Sequence, residues 1–337
     1  MKKFRMFSLM LIFIMMGSII FAGGVNESKK ENGNTQTPSI KTTPYVWGSA
    51  SLGSAGYVII EALVSTVNKY EKSFRNASIS TQGGTENVVL LSQGQIDFGQ
   101  ATSNALYDGY NGLSPFTSKV DFAQVMSYAY WAFPIGVPEN SSIKKIEDLN
   151  GKKLSVGPAG GATQQVVMAA IKEYGINVTP VYLSWAESVN AFKTGQVDAA
   201  TMLFVNGTNL SPAFVELIQT HPFRLINMDS QKIKNASKKN NGILQANVQW
   251  DGQTIIASGN SGILAADPKI DEDVIYKICK SLFENEESVR KIAKVELAFF
   301  SLENALEMII PEYPIHKGAA KYYKEKGLWK DNYVIYE

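Results

Sequence analysis

Residues 47–57, WGSASLGSAGY, and residues 152–165, KKLSVGPAGGATQQ, are the same kind of junction written twice. In each, an apolar strand runs into a loop of small residues and then into an amphipathic helix. A loop of Gly48, Ser49, Ala50, Ser51, Gly53, Ser54, Ala55 and Gly56 carries almost no side-chain bulk, so backbone N–H groups at the start of the following helix stay open to a polar or anionic ligand. The next elements in each half match as well. Strand ASIST and helix ENVVLLSQGQID answer strand VTPVYLS and helix SVNAFKTGQVD, and both helices end in a Gly-Gln-x-Asp turn, at Gly94–Asp97 and Gly195–Asp198. The pattern predicts an α/β fold of two similar lobes facing one cleft, with a third strand-to-helix corner at Gln82–Asn87, where Thr85 reads as the N-cap. Asp97 and Asp198 read as residues that fix a helix-to-strand corner, outside the site.

The 337 residues are enough for two lobes, with residues 45–137 plus 257–337 forming the first and 138–256 the second. The run DFAQVMSYAYWAFPIGVP at 121–138 reads as a crossing strand and 254–267 as the strand that returns, giving two or three crossings. The helices expected after it are 271–293, 301–310 and a last one within PIHKGAAKYYKEKGLW. Residues 1–22 have a basic start, an apolar run from Met6 to Phe21 and small residues at the end, as a secretion signal does; the run is also long enough for an uncleaved membrane anchor. Residues 23–44 are polar and read as a disordered tether. Cleavage would remove Lys2, Lys3 and Arg5 and take the formal charge from +1 to −2, which gives no basic surface for nucleic acid. A lone cysteine, Cys279, forms no intramolecular disulfide and sits where a small buried hydrophobe fits.

Catalytic chemistry fails on spacing. No GxSxG elbow is present, the two histidines (His221 and His316, both read as surface residues beside prolines) and one cysteine make no zinc site, and neither glycine loop has the GK[ST] of a phosphate loop. No enzyme activity, metal or cofactor is expected. Only four of the 32 basic residues are arginines, and none lies in the three corners, so an anionic ligand there has to be met by backbone N–H groups and hydroxyls. For any one glycine loop taken alone, a tight turn without ligand remains open.

Taken in order, WGSASLGSAGY, TQGGTENVVLLSQGQIDFG, ALYDGYNG, IKKIEDLNGKKLSVGPAGGAT, YLSWAESVNAFKTGQVDAA, VIYKICKSLFEN and IHKGAAKYYKEKG resemble the TAXI family of solute-binding receptors of TRAP transporters, over about residues 45–329. The resemblance implies a type II periplasmic-binding-protein fold, closure on a small acidic solute such as glutamate, glutamine, a dicarboxylate or a 2-oxo acid, and an ion-gradient-driven integral-membrane partner. It implies a periplasmic location. Its ligand-contacting positions fall on Ser49, Ala50 and Tyr57, on Gly84, Thr85 and Asn87, on Asn104 and Tyr107, and on Gly160, Gly161 and Thr163. Phe204, at the end of strand AATMLFVNG, is placed opposite the first corner if the lobes are alike. The sequence departs from the family at Ala50, at Ala162 and at Asn104, where an acidic residue is common. An exported sensory domain, or a two-lobed exported transferase or hydrolase, are the alternative readings.

Overall fold

The computed structural model describes residues 44–52 and 54–337; the expected leader and nearly all of the expected tether lie outside the described residues. The first third of the chain builds β1 (Tyr45–Gly48), α1 (Ala55–Tyr70), β2 (Asn76–Ile79), α2 (Gly84–Ser92), β3 (Phe98–Thr102) and α3 (Ser103–Asn111). β4 (Ala123–Phe133) and β5 (Ile135–Pro138) come next, split by Pro134, which has no N–H for a ladder. Then come β6 (Lys153–Ser155), α4 (Ala162–Lys172), β7 (Thr179–Val181), α5 (Trp185–Lys193) and β8 (Ala199–Thr201). The chain continues through β9 (Phe204–Val205), β10 (Asn209–Leu210), α6 (Pro212–Thr220), β11 (Phe223–Ile226), α7 (Ser230–Lys239), β12 (Leu244–Trp250) and β13 (Gln253–Ala266). It closes with α8 (Glu272–Phe283), α9 (Glu286–Ile292) and α10 (Lys317–Glu325).

Two sheets result, and their shared grammar is the repeat seen in the sequence. One contains the order β2-β1-β3-β13-β4 and the other β7-β6-β8-β5-β11. In both, four strands run in one direction and one runs against them, β13 in the first and β5 in the second, so β13 and β5 occupy equivalent places. The shared topology gives two α/β lobes, as the repeated sequence pattern predicts. The Gly-Gln-x-Asp turns do the same work in each. The Asp97 carboxylate accepts the Val46 N–H at 2.7 Å while its own N–H donates to Val46 O at 2.8 Å. Asp198 accepts Lys153 N–H at 2.8 Å and donates to Lys153 O at 2.9 Å. Each aspartate therefore clamps the start of one parallel strand to the start of its neighbour, as the turn motif predicts.

Four expectations are corrected. The segment 199–207 is not one strand: β8 ends at Thr201, and β9 resumes in the other sheet, pairing with β4 through Trp131↔Val205 and Ala132↔Phe204. With β12 also joining the first sheet, the chain passes between sheets four times rather than two or three. Residues 301–310 have helical apolar spacing yet form successive turns. The carbonyls a helix would use are taken instead by buried side chains of β4: Ser127 Oγ donates to Asn304 O and Ala305 O, and Gln124 Nε2 to Ile310 O and Tyr313 O. His316 is fully buried rather than exposed. It caps α10 by accepting Gly318 N–H at 3.1 Å, its other ring nitrogen meets Ile270 O, and burial holds its pKa below the usual imidazole value. Cys279 is buried, and desolvation pushes its thiol up to about 12, as expected of an inert core residue.

The paired clamps give a direct test. Loss of a charged hydrogen-bond acceptor costs about 1.5–3 kcal/mol when the partner is left unmet in the interior, and less at the surface. Asp97→Ala is therefore expected to lower stability more than Asp198→Ala, whose side chain lies at an exposed position. Urea denaturation monitored by circular dichroism measures both, and equal small losses would contradict the clamp.

Candidate ligand-binding site

The first corner is held by hydrogen bonds that consume several of the groups expected to meet a ligand. Ser49 donates both its N–H and its hydroxyl to Ile79 O, at 2.9 and 2.7 Å. Its own carbonyl accepts from Thr81 Oγ1 at 2.9 Å and from Asn87 Nδ2 at 2.7 Å. Asn87 is fully buried, and its amide also reaches Gly48 O at 3.2 Å and Gln100 O at 2.7 Å. Ser49 and Asn87 thus tie the ends of β1 and β3 to the start of α2, so their roles here are positional.

The corner leaves its backbone available. α1 is capped by Ser54, whose hydroxyl accepts Tyr57 N–H, while α2 starts at Gly84 with Gly83 at its cap and no side-chain cap. Thr85 is not the N-cap; it sits inside the first turn because Gly83, at φ +102, takes the cap backbone that a side chain adopts only with strain. Among the described residues the N–H groups of Gly84, Thr85 and Glu86 have no partner, as for any first helical turn without a cap. Beside them the hydroxyl oxygens of Thr85 and Thr102 and the amide oxygen of Asn87 are buried without a hydrogen-bond partner. Thr102 is close: a Cβ added to Gly84 would lie 3.1 Å from its N and Oγ1.

Gln100, which no sequence motif singles out, lies between the two helix starts. Cβ atoms built on Gly56 and Gly83 would come within 3.3 and 3.5 Å of its Oε1, and within 3.0 and 3.6 Å of the Ala50 methyl. The side chain is 4% exposed. Its place at the C-terminal end of a central parallel strand, where open α/β sheets bind ligands, was the available signal.

The corner at 157–163 has the same form. Gly160, at φ +73, donates its N–H to Gln164 Oε1 at 2.9 Å; Gly161 caps α4 without a side-chain bond, and Thr163 sits in the first turn. From this helix Gln165 reaches the other lobe: Asn104 Nδ2 of α3 donates to Gln165 Oε1 at 3.0 Å, and Asn104 Oδ1 accepts from Asn260 Nδ2 of β13 at 2.8 Å. Asn104, at a position where the resembling family often has an acid, is thus a neutral link between the lobes.

The structure brings Asn87 onto Gln100, Ser49 onto Asn87, and Ala50 with Gln100 beside Gly56 and Gly83, leaves Gly84 and Thr85 in the first turn of α2 with Thr102 beside Gly84, and joins Asn104 to the helix carrying Thr163. Tyr57 is half-buried in the first turn of α1. Tyr107 lies in an aromatic stack, 6.4 Å from the Tyr313 ring centroid. Phe204 stands apart: it is fully buried in a core cluster, edge-on to Trp250 at 5.6 Å. Among the described residues, no cluster of His, Cys, Asp or Glu is arranged to hold a metal, and no helix is long and apolar enough to cross a membrane.

One acid lies close to the link. Asp108, one turn beyond Asn104 on α3, accepts Asn240 Nδ2 at 3.1 Å, and burial raises its pKa from 3.8 to about 6. The folded protein thus binds this proton more tightly than the unfolded chain, so the contribution of Asp108 to stability falls as pH rises from about 4 to about 6 and is level above that. Asp108→Asn removes the titration, and its melting temperature relative to the wild type is expected to rise across that window and then stay constant. A pH-independent difference between the two would contradict it.

Three solved structures of low similarity are binding proteins. The alkanesulfonate-binding protein SsuA from Xanthomonas axonopodis pv. citri is 14% identical, with 87% of this chain and 96% of that chain covered and a TM-score of 0.46. The periplasmic aliphatic sulphonate binding protein SsuA from Escherichia coli gives 18%, 86%, 95% and 0.45 for the same four quantities. The probable amino-acid ABC transporter extracellular-binding protein ytmK from Bacillus subtilis gives 14%, 75%, 97% and 0.46. These are distant likenesses. The family model described as NMT1-like family matches residues 47–327, from the second residue past the start of β1 to just beyond α10, and on that match the chain belongs to the NMT1-like family.

Proposed function

We propose that this protein is an extracytoplasmic solute receptor that captures a small acidic solute between its lobes and delivers it to an ion-gradient-driven TRAP-type membrane transporter. The observation that carries the reading is a pair of helix starts without side-chain caps, at Gly84 beside Thr102 and Gln100 and at Ala162, in lobes of repeated topology and without an arginine in the corners. Each helix start favours an anionic group by about 0.3–1 kcal/mol when exposed and up to about 2 when partly buried, so two or three acting together replace a guanidinium. The solute class, a glutamate- or glutamine-like amino acid, a dicarboxylate or a 2-oxo acid, and the TRAP partner are supported by the motif order shared with the TAXI receptors. In this reading Tyr57, Tyr107, Gly160 and Gly161 shape the cleft and Asn104 closes it.

A thermal-shift screen of glutamate, glutamine, 2-oxoglutarate and succinate is expected to single out one compound or a close group. At 100 times its Kd such a ligand stabilises the native state by about 2.7 kcal/mol, a shift of several degrees. The compound should be recovered unchanged after long incubation; conversion to a product would overturn the receptor reading, and a flat screen would overturn the solute class. Deleting the genes for a TRAP-type or an ABC-type membrane component in turn, and following uptake of that compound, identifies the partner, with loss in the TRAP-type deletion expected.

The site itself is tested by substitution. Gln100→Leu and Thr163→Val are expected to weaken binding about tenfold each, the loss of one good hydrogen bond. Phe204→Leu, in the core cluster, should leave affinity unchanged. Titration calorimetry distinguishes this from the opposite pattern, in which only Phe204→Leu weakens binding.

A further inference from the structure

A cavity of about 700 Å³ lies between α7, the start of β12, the turns at 307–310 and Ser103, the residue between Thr102 and Asn104, and none of residues 48–56, 82–87 or 157–163 lines it. That volume is within the range of small-molecule sites. Its polar wall is one face of α7, since Ser230, Lys234 and Ser237 recur at spacings of four and three residues. Its apolar lining comes from the partly exposed Leu244 and Met308 over the buried Ile233, Ile243 and Ile309, so the same space offers a hydrophobic floor beside hydroxyls and an ammonium group.

The charges in the cavity are unequal in availability. Glu307, its acid, pairs with Lys330 at 3.5 Å. Lys234 is exposed and has no ion-pair or hydrogen-bond partner among the described residues, although its neighbours in the helix are engaged: Lys232 donates to Glu173 O at 2.7 Å and Lys239 pairs with Glu173. The inner end is rigid, because Ser261 donates its hydroxyl to Met308 O at 2.6 Å and Ser103 donates its own to Gly242 O at 2.5 Å.

We propose that this cavity is a second ligand site, distinct from the three corner loops, for a small organic monoanion with an apolar body whose carboxylate pairs with Lys234. The apolar floor would gain about 25 cal/mol for each Å² it removes from water, and the single cation selects the sign of the head group.

Octanoate is the probe. Calorimetric titration of the full-length wild-type protein is expected to show saturable one-to-one binding. Lys234→Glu should weaken it by about tenfold or more, the scale of a charge pair near a protein surface. Ile309→Trp should abolish it by filling the floor, with near-ultraviolet circular dichroism confirming that both variants are folded. Lys234 is a surface side chain, so its variant keeps the test valid if the tryptophan variant does not fold. Absence of saturable binding to the wild type, or binding that Lys234→Glu leaves unchanged, overturns the proposal.

Discussion

The buried amide of Asn87 is the constraint on which the first corner depends. One side-chain NH2 group meets the carbonyls of Gly48, Ser49 and Gln100, and so fixes the ends of β1 and β3 against the first turn of α2. Those carbonyls lie where a strand ends and no ladder partner is left, and an unmet buried carbonyl is costly. With the loop thus satisfied from within, the N–H groups at the start of α2 need not turn inward. A side chain whose motif reads as a ligand contact is better understood as the reason a ligand contact can exist.

The two lobes solve the same problem with different residues. Asp97 and Asp198 clamp equivalent strand starts, and β13 and β5 take equivalent antiparallel places. The corners differ: α2 begins beneath a buried network, whereas α4 begins at Gly160 and Gly161 with only Gln164 folded back on the loop. The Asn104, Gln165 and Asn260 chain of amides then ties one lobe to the other without charge. Neutral links part at lower cost than ion pairs do, since no buried ion has to be rehydrated.

Much of this was legible in the sequence because it rests on local rules. The small-residue corners at 48–56 and 157–162, the Gly-Gln-x-Asp turns and the helix faces follow from spacing and from what glycine permits. The features that were not legible depend on partners far along the chain. The turns at 301–310 exist because Gln124 and Ser127 claim their carbonyls, and His316 is buried because β4 and the segment at 267–270 close over it. The break after Thr201 reflects a place on the edge of another sheet, and Gln100 and Gln165 look like any strand or helix glutamine until the fold places them.

An acidic solute held by helix-start N–H groups, rather than by a cationic side chain, is the feature on which the receptor reading stands or falls. A crystal structure of the protein purified from its native host with any copurified solute retained, the solute being identified by mass spectrometry, tests it most directly. One unmodified acidic compound is expected between the lobes, its carboxylate within hydrogen-bond distance of the N–H groups of residues 84–86 or 162–164. A carboxylate held instead by Lys or Arg, or a solute bound without any contact to those helix starts, would contradict it.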